Sequence, residues 1–241
     1  FQFFRNQLQK LFRLGGNMRL AAYPPGKGDI TNMIRNYIHR CQKDGVKIVM
    51  NCEVTPELIK EEKPDSVIIA TGSKTLILPI EGIDNPAIIH GSDLLDGKRA
   101  AGKKVLVVGG GMVGCETAAF LGEQEHDVTV IEFRDTVGAD VIHEHRVYLM
   151  KDFEDYGIKE ITGAKVCKFY EDGVEYETAD GVRHETRGYD SVILSMGFRN
   201  YNPLEEKIKD LVPETHVIGD AIRARRALDA TKEAYAVASK L

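Results

Sequence analysis

Gly109, Gly110, Gly111 and Gly114 follow a short apolar run in the spacing G-x-G-x-x-G, and an acid, Glu132, closes the same stretch. Residues of these types in this order can hold a dinucleotide. Gly109 allows a tight turn, Gly111 lets a pyrophosphate approach bare backbone, and Gly114 lets helix and strand pack closely. Met112 and Val113, within the glycine motif, count with it as cofactor-binding, and the helix that follows would offer its first N–H groups and a partial positive charge to the phosphates. Glu132 stands where a carboxylate accepts the two hydroxyls of an adenosine ribose, and it favours NADH over NADPH because it would repel a 2′-phosphate. Arg134 reads either as a partner for such a phosphate or as a solvated charge after a strand.

These residues need elements to position them. Val105 to Val108 reads as a buried strand, Cys115 to Leu121 as a helix, and Asp127 to Ile131 as a second strand that delivers Glu132. The order makes a β-α-β unit. Two other buried-type strands end in small residues: Ser66 to Ala70 runs into Ala70-Thr71-Gly72, and Asp190 to Leu194 into Ser195-Met196-Gly197. Small residues past a strand's C-terminal end let a ligand or another backbone come close. The echo between the two points to two nucleotide-binding units of one design. A further short strand ends at Gly219-Asp220, where the carboxylate can accept hydrogen bonds from a polyol chain or cap the next helix.

Around this frame, Phe4, Leu8, Leu11 and Phe12 fall at helical spacing and predict an amphipathic helix over Phe1 to Leu14. Glycine and proline then mark irregular chain up to Lys27. A helix is expected from Asp29 or Thr31 to about Lys43, a strand over Val46 to Asn51, and a short helix opening on Thr55-Pro56. His143 to Tyr156 predicts a helix. Four short strands follow between Ile158 and Arg187, with Asp-Gly turn signals at Asp172-Gly173 and Asp180-Gly181, and these predict a small antiparallel sheet. Ala227 to Leu241 reads as a terminal helix.

Bulk properties exclude several classes. The 241 residues, 43% hydrophobic and 29% charged, suffice for one large or two small domains with a real core. A net charge of −5 without a basic run argues against nucleic acid as a partner. No apolar run reaches the ~18–20 residues that span a bilayer, so no membrane is expected. Cys41, Cys52, Cys115 and Cys167 are scattered, which argues against a cluster, a zinc site or a C-x-x-C redox pair and fits a reducing cytoplasm. His143 and His145, at i and i+2, do not share a helix face and make no zinc pair. No residue is assigned a catalytic role: none of the seven histidines has a paired carboxylate or metal spacing that stands out.

The order of motifs resembles a known family. Leu14-Gly15-Gly16-Asn17-Met18-Arg19-Leu20-Ala21-Ala22 with Pro24-Pro25-Gly26-Lys27, then Ala70-Thr71-Gly72, the Gly109–Glu132 unit, Val217-Ile218-Gly219-Asp220-Ala221 and Ala227-Leu228-Asp229-Ala230 look like the C-terminal FAD/NAD(H)-binding part of the 2,4-dienoyl-CoA reductase, trimethylamine dehydrogenase and NADH:flavin oxidoreductase family. The resemblance covers nearly all of Leu14 to Leu241. It implies an α/β fold of two dinucleotide-binding domains, with an NAD domain over 81–212 inserted in an FAD domain built from 1–80 and 213–241. It further implies that Ala70, Thr71, Gly72, Gly219 and Asp220 line an FAD site with Gly15 and Gly16 near its phosphates, while Gly109 to Gly114, Glu132 and Gly197 line the NAD(H) site. NADH would reduce FAD, and electrons would pass to an upstream flavin and iron–sulfur barrel domain.

Phe1 to Arg13 contains no glycine, so the family's first fingerprint is missing and the FAD domain reads as partial. The chain is therefore expected to be a fragment of a larger enzyme. Large apolar side chains are each worth roughly 1.5–3 kcal/mol when buried. A remnant that leaves several uncovered is expected to aggregate, form a homo-oligomer, or cover the gap with the Phe1–Leu14 helix. The alternative function is a non-catalytic fragment that binds NAD(H) or an adenine nucleotide without flavin.

Overall fold

The computed structural model describes residues 6–9 and 13–241. The chain forms two compact units. One comprises residues up to Ala22, Asp29–Lys74 and Phe198–Leu241; the other comprises Tyr23–Gly28 and Thr75–Gly197. The compact units divide at 74/75 and 197/198, and Tyr23–Gly28 goes with the second unit.

The second unit is built on a parallel five-stranded sheet in the spatial order Ile89–His90, Ser191–Leu194, Lys104–Val108, Asp127–Ile131, Lys159–Ile161. Side chains of a strand alternate between faces, and here both faces are buried, so the strands are continuously apolar rather than alternating. Val105 and Val107 pack on one side with Cys115, Ala118, Leu121, Leu149 and Phe153 from the Met112–Glu123 and His143–Asp155 helices. Leu106 and Val108 pack on the other side with Phe169, Val174, Val192 and Leu194. An antiparallel meander of Lys165–Tyr170, Gly173–Glu177 and Arg183–Thr186 covers that second face.

The sequence places the Ile158–Thr162 strand with the antiparallel run. It lies instead at the edge of the parallel sheet, with Lys159–Ile161 beside Asp127–Ile131. Gly157 turns the chain at φ 64, and the N–H of Glu132 donates to the Ile161 carbonyl at 2.8 Å, which extends the parallel ladder.

The first unit has a smaller core of Ile59, Ile69, Leu204, Ile208, Val212 and Ala221. Ser66–Ile69 and Glu214–Val217 form a parallel pair. Thr55 caps the Pro56–Glu62 helix through a 3.3 Å hydrogen bond from the Leu58 N–H, with Pro56 in the first turn as the sequence requires. The Asp29–Lys43 helix buries none of its residues fully.

The helix expected over Phe1 to Leu14 is not what forms at Asn6–Gln9. That segment is a strand, paired parallel to Lys47–Met50 from Asn6 opposite Lys47 to Gln9 opposite Met50. An available strand edge satisfies its backbone groups and overrides a helical side-chain period. Phe4, Leu11 and Phe12 lie outside the described residues. The Gly16–Ala22 stretch expected to be irregular is a 3-10 helix.

Candidate dinucleotide site

The glycine turn sits at the C-terminal end of the central strand of the five-stranded sheet, between two strands that run the same way. Gly109 leaves the strand at φ 106, in the left-handed region, and a Cβ there would lie 2.5 Å from the Ser195 carbonyl oxygen. Gly114 has the closest approach: a Cβ would lie 1.8 Å from the Gly109 carbonyl oxygen, so helix and turn touch through bare backbone. Gly111 is the helix N-cap in ordinary extended conformation, with φ −72 and ψ −176. A Cβ on it would meet only the Asp140 carboxylate, 3.3 Å away. The Met112–Glu123 helix starts here, with Met112 and Val113 as its first two residues, and the N–H groups of its first turn have no partner within the helix. Gly197 follows the neighbouring Ser191–Leu194 strand, and a Cβ on it would enter open space.

Glu132 reaches back over this turn. Its Oε2 accepts the Gly110 N–H at 2.6 Å and its Oε1 accepts the Arg134 N–H at 3.0 Å. A carboxylate has about four lone-pair sites, so acceptor capacity remains for ribose hydroxyls. The backbone of Arg134 thus supports Glu132. The cradle over Gly111, the aligned helix and the spare acceptor sites of Glu132 fit a dinucleotide.

Sequence reasoning missed Asp140. Its Oδ1 accepts the Met112 N–H at 2.9 Å. The loop that carries it is firmly held: Val137 is fully buried, the Gly138 N–H donates to the Gly110 carbonyl at 2.7 Å, and Arg146 Nη2 donates to the Thr136 Oγ1 at 2.9 Å and the Val137 carbonyl at 3.1 Å. No spacing in the sequence links an acid just ahead of one helix to the first N–H of another.

Sequence reasoning also missed an ion pair between Lys27 and Glu116, which are 89 residues apart. The Glu116 side chain, on the glycine-turn helix, is only 7% exposed, and His145 Nε2 lies 3.9 Å from its Oε1. A carboxylate this deep requires its cation. The next residue, Cys115, donates from Sγ to the Gly110 carbonyl at 3.2 Å. Burial pushes its thiol up to about 12, so it is no thiolate nucleophile near neutral pH. All four cysteines are free, and the described residues hold no cluster of acids, His and Cys that could bind a metal ion.

In the first unit the structure brings the other proposed residues together. Ala70-Thr71-Gly72 follows Ser66–Ile69, and Gly219-Asp220 follows the paired Glu214–Val217 strand, with the Ile218 N–H donating to the Ile69 carbonyl at 3.0 Å. Ser73 Oγ donates to Asp220 Oδ2 at 2.9 Å, and Asn17 Nδ2, beside Gly15 and Gly16, donates to the Ser73 carbonyl at 3.2 Å. Asp220 does not cap the following helix. Its Oδ1 accepts the Arg225 N–H at 3.0 Å, whereas at the start of Ala227–Ala238 Asp229 Oδ2 accepts the Arg226 N–H at 3.3 Å. The Gly219 N–H donates to Glu233 Oε2 at 2.7 Å, and the paired Arg225 holds the Glu233 carboxyl below the usual range. Open space beyond Gly16 and Gly72 suits a ligand at these ends. A second strand, glycine turn and helix of the kind that holds a diphosphate is not found among the described residues of this unit.

Comparisons with known proteins place these features. The model of the family described as pyridine nucleotide-disulphide oxidoreductase matches residues 20–214. A bilirubin reductase of Mediterraneibacter gnavus is 30% identical over 97% of this chain and 36% of its own length. An NADH oxidase of Thermoanaerobacter brockii is 31% identical over 95% of this chain and 36% of its own. A solved 2-naphthoyl-CoA reductase complex superposes with a TM-score of 0.92 at 30% identity, covering 98% of this chain and 36% of that one. The chain thus spans little more than a third of the length of these three proteins. Among the described residues, no helix is long and apolar enough to cross a membrane.

Proposed function

Since the chain belongs to the pyridine nucleotide-disulphide oxidoreductase family, whose members use FAD and NAD(P)H, we propose that it is the electron-entry module of a larger NADH:flavin oxidoreductase. The observation that carries this is the Gly109–Gly114 turn with Glu132 folded over it. NADH supplies a hydride and FAD accepts it. The chain's own residues bind and orient. Bare backbone at Gly111 admits the diphosphate, the Met112–Glu123 helix faces it with N–H groups, and Glu132 accepts the adenosine ribose hydroxyls. Gly197 leaves room for the rest of the dinucleotide beside the turn. The second unit is the NAD(H) domain and the first the FAD-binding part, where Asp220, Gly219 and Ala70-Thr71-Gly72 line the flavin site and Gly15-Gly16 lies towards its phosphates.

The partner proposed for the reduced flavin is a flavin and iron–sulfur barrel domain in the same enzyme, and free cysteines fit a cytoplasmic setting. Purified chain titrated with NADH, and separately with FAD, tests the reading. Saturable NADH binding together with a bound yellow flavin that NADH bleaches supports it. One observation favours a second reading: the described residues of the first unit lack a diphosphate-binding turn. A chain that binds NADH but never flavin would establish that reading, a nucleotide-binding part without its own flavin chemistry.

A further inference from the structure

The Met112 N–H at the head of the glycine-turn helix already holds an anion. Asp140 Oδ1 accepts it at 2.9 Å, and Asp140 Oδ2 stands 3.3 Å from where a Cβ on Gly111 would be. The Asp140 carboxylate therefore occupies the open face of Gly111, the face on which the proposed diphosphate must land. Its carboxylate oxygens stand in for phosphate oxygens. The position is built rather than incidental. Val137 buries its side chain between the turn and the core, and the Gly138 N–H is bonded to the Gly110 carbonyl at 2.7 Å. Glu132 holds the Gly110 N–H in the same way, 2.6 Å away. Two carboxylates thus engage the turn from two sides, with different consequences. Glu132 sits where a ribose would donate to it. Asp140 sits where a second anion would meet it, and like charges at that range repel.

We propose that Asp140 is an affinity-setting residue of the dinucleotide site, a resident anion that the ligand's diphosphate must displace. This rests on the NADH site proposed above. In the ligand-free chain the contact stabilises the helix start, as an anion does at any helix N-terminus. In binding it lowers affinity for any ligand with phosphate at the turn, so that NADH enters and NAD⁺ leaves a site that is preformed without being sticky. The chemistry recognised is a nucleoside diphosphate ester, and Asp140 sets how tightly that part is held.

The test is calorimetric titration of the full chain with NADH, comparing wild type with Asp140→Asn and Asp140→Ser. Asp140→Asn keeps an oxygen at the same reach that accepts the Met112 N–H, and Asp140→Ser removes the charge with a shorter polar side chain. Both should bind NADH about threefold to tenfold more tightly than wild type, and the rise in melting temperature on adding NADH should grow. A merely structural role would lower the melting temperature and leave affinity unchanged or weaker. Affinity equal to or below wild type in both variants overturns the proposal while leaving the NADH site intact. If neither wild type nor variants bind NADH, the site reading itself fails and the proposal with it.

Discussion

Two glycines in one turn, replaced one at a time by alanine, should give opposite results. In Gly114→Ala the new methyl would lie 1.8 Å from the Gly109 carbonyl oxygen and 2.8 Å from its carbon. Both atoms are backbone, so helix and turn must part by well over an ångström. Overpacking usually costs about 1–3 kcal/mol when side chains can yield; with backbone on both sides, about 3 kcal/mol or more is expected. That is a large share of a typical stability of roughly 5–15 kcal/mol. In Gly111→Ala the backbone is already in a conformation any residue adopts, and the nearest atoms are the end of the Asp140 side chain at 3.3 Å. Stability should hold, or rise by about 0.4–1 kcal/mol through the unfolded chain. NADH binding should suffer, because the methyl stands where the diphosphate approaches the N–H groups. Losing one charge-assisted hydrogen bond costs about 1.5–3 kcal/mol, roughly 10- to 100-fold in Kd. Urea unfolding and NADH titration measure both quantities. The reasoning is refuted if Gly111→Ala binds NADH like wild type, or if Gly114→Ala is as stable as wild type.

Three further outcomes are expected. Glu132→Gln should weaken NADH about tenfold and narrow the preference over NADPH, since the repelling charge is gone while the shape remains; an unchanged NADH to NADPH ratio in parallel titrations would count against Glu132 as the ribose acid. Lys27→Met should destabilise the chain by about 3 kcal/mol by stranding the Glu116 charge, and the double variant with Glu116→Gln should recover most of that. Equal unfolding midpoints for single and double variants would show that the pair is not coupled. The Cys115 thiol is raised from 9.0 to about 12 by burial, so the folded chain keeps its proton where the unfolded chain loses it. Stability from this group is therefore complete below pH 9 and falls as pH rises from 9 towards 12. Cys115→Ala should flatten that alkaline slope in pH-dependent melts, and a slope unchanged by the substitution would reject the assignment.

What the sequence reveals here depends on distance along the chain. The Lys104–Val108 strand, its turn and the Met112–Glu123 helix are contiguous, and their period and glycine spacing state the geometry locally. The Thr55-Pro56 helix start is legible for the same reason. Asn6–Gln9 shows the limit: its neighbours have a helical period, yet its partner strand at Lys47–Met50 is supplied from far along the chain. Lys159–Ile161 looks like its antiparallel successors in composition, and only pairing with Asp127–Ile131 makes it parallel. Asp140 and the Lys27–Glu116 pair were illegible because charge complementarity between distant residues leaves no period. Short strands such as Ile89–His90 and Phe198–Asn200 have too few residues to show a pattern at all.

The placement of Tyr23–Gly28 with the second unit bears on how such modules are exchanged between proteins. Residues 75–197 carry the whole five-stranded sheet, the glycine-turn helix and Glu132, and look like a part that a gene could lend intact. They do not carry Lys27. A transplanted 75–197 segment would arrive with Glu116 buried and its countercharge left in the donor, and its new host would have to supply a cation or neutralise the acid. The smallest heritable unit of this nucleotide site is therefore longer than its sheet and discontinuous in the gene. Substitutions at 27 and 116 should be tolerated together and not singly.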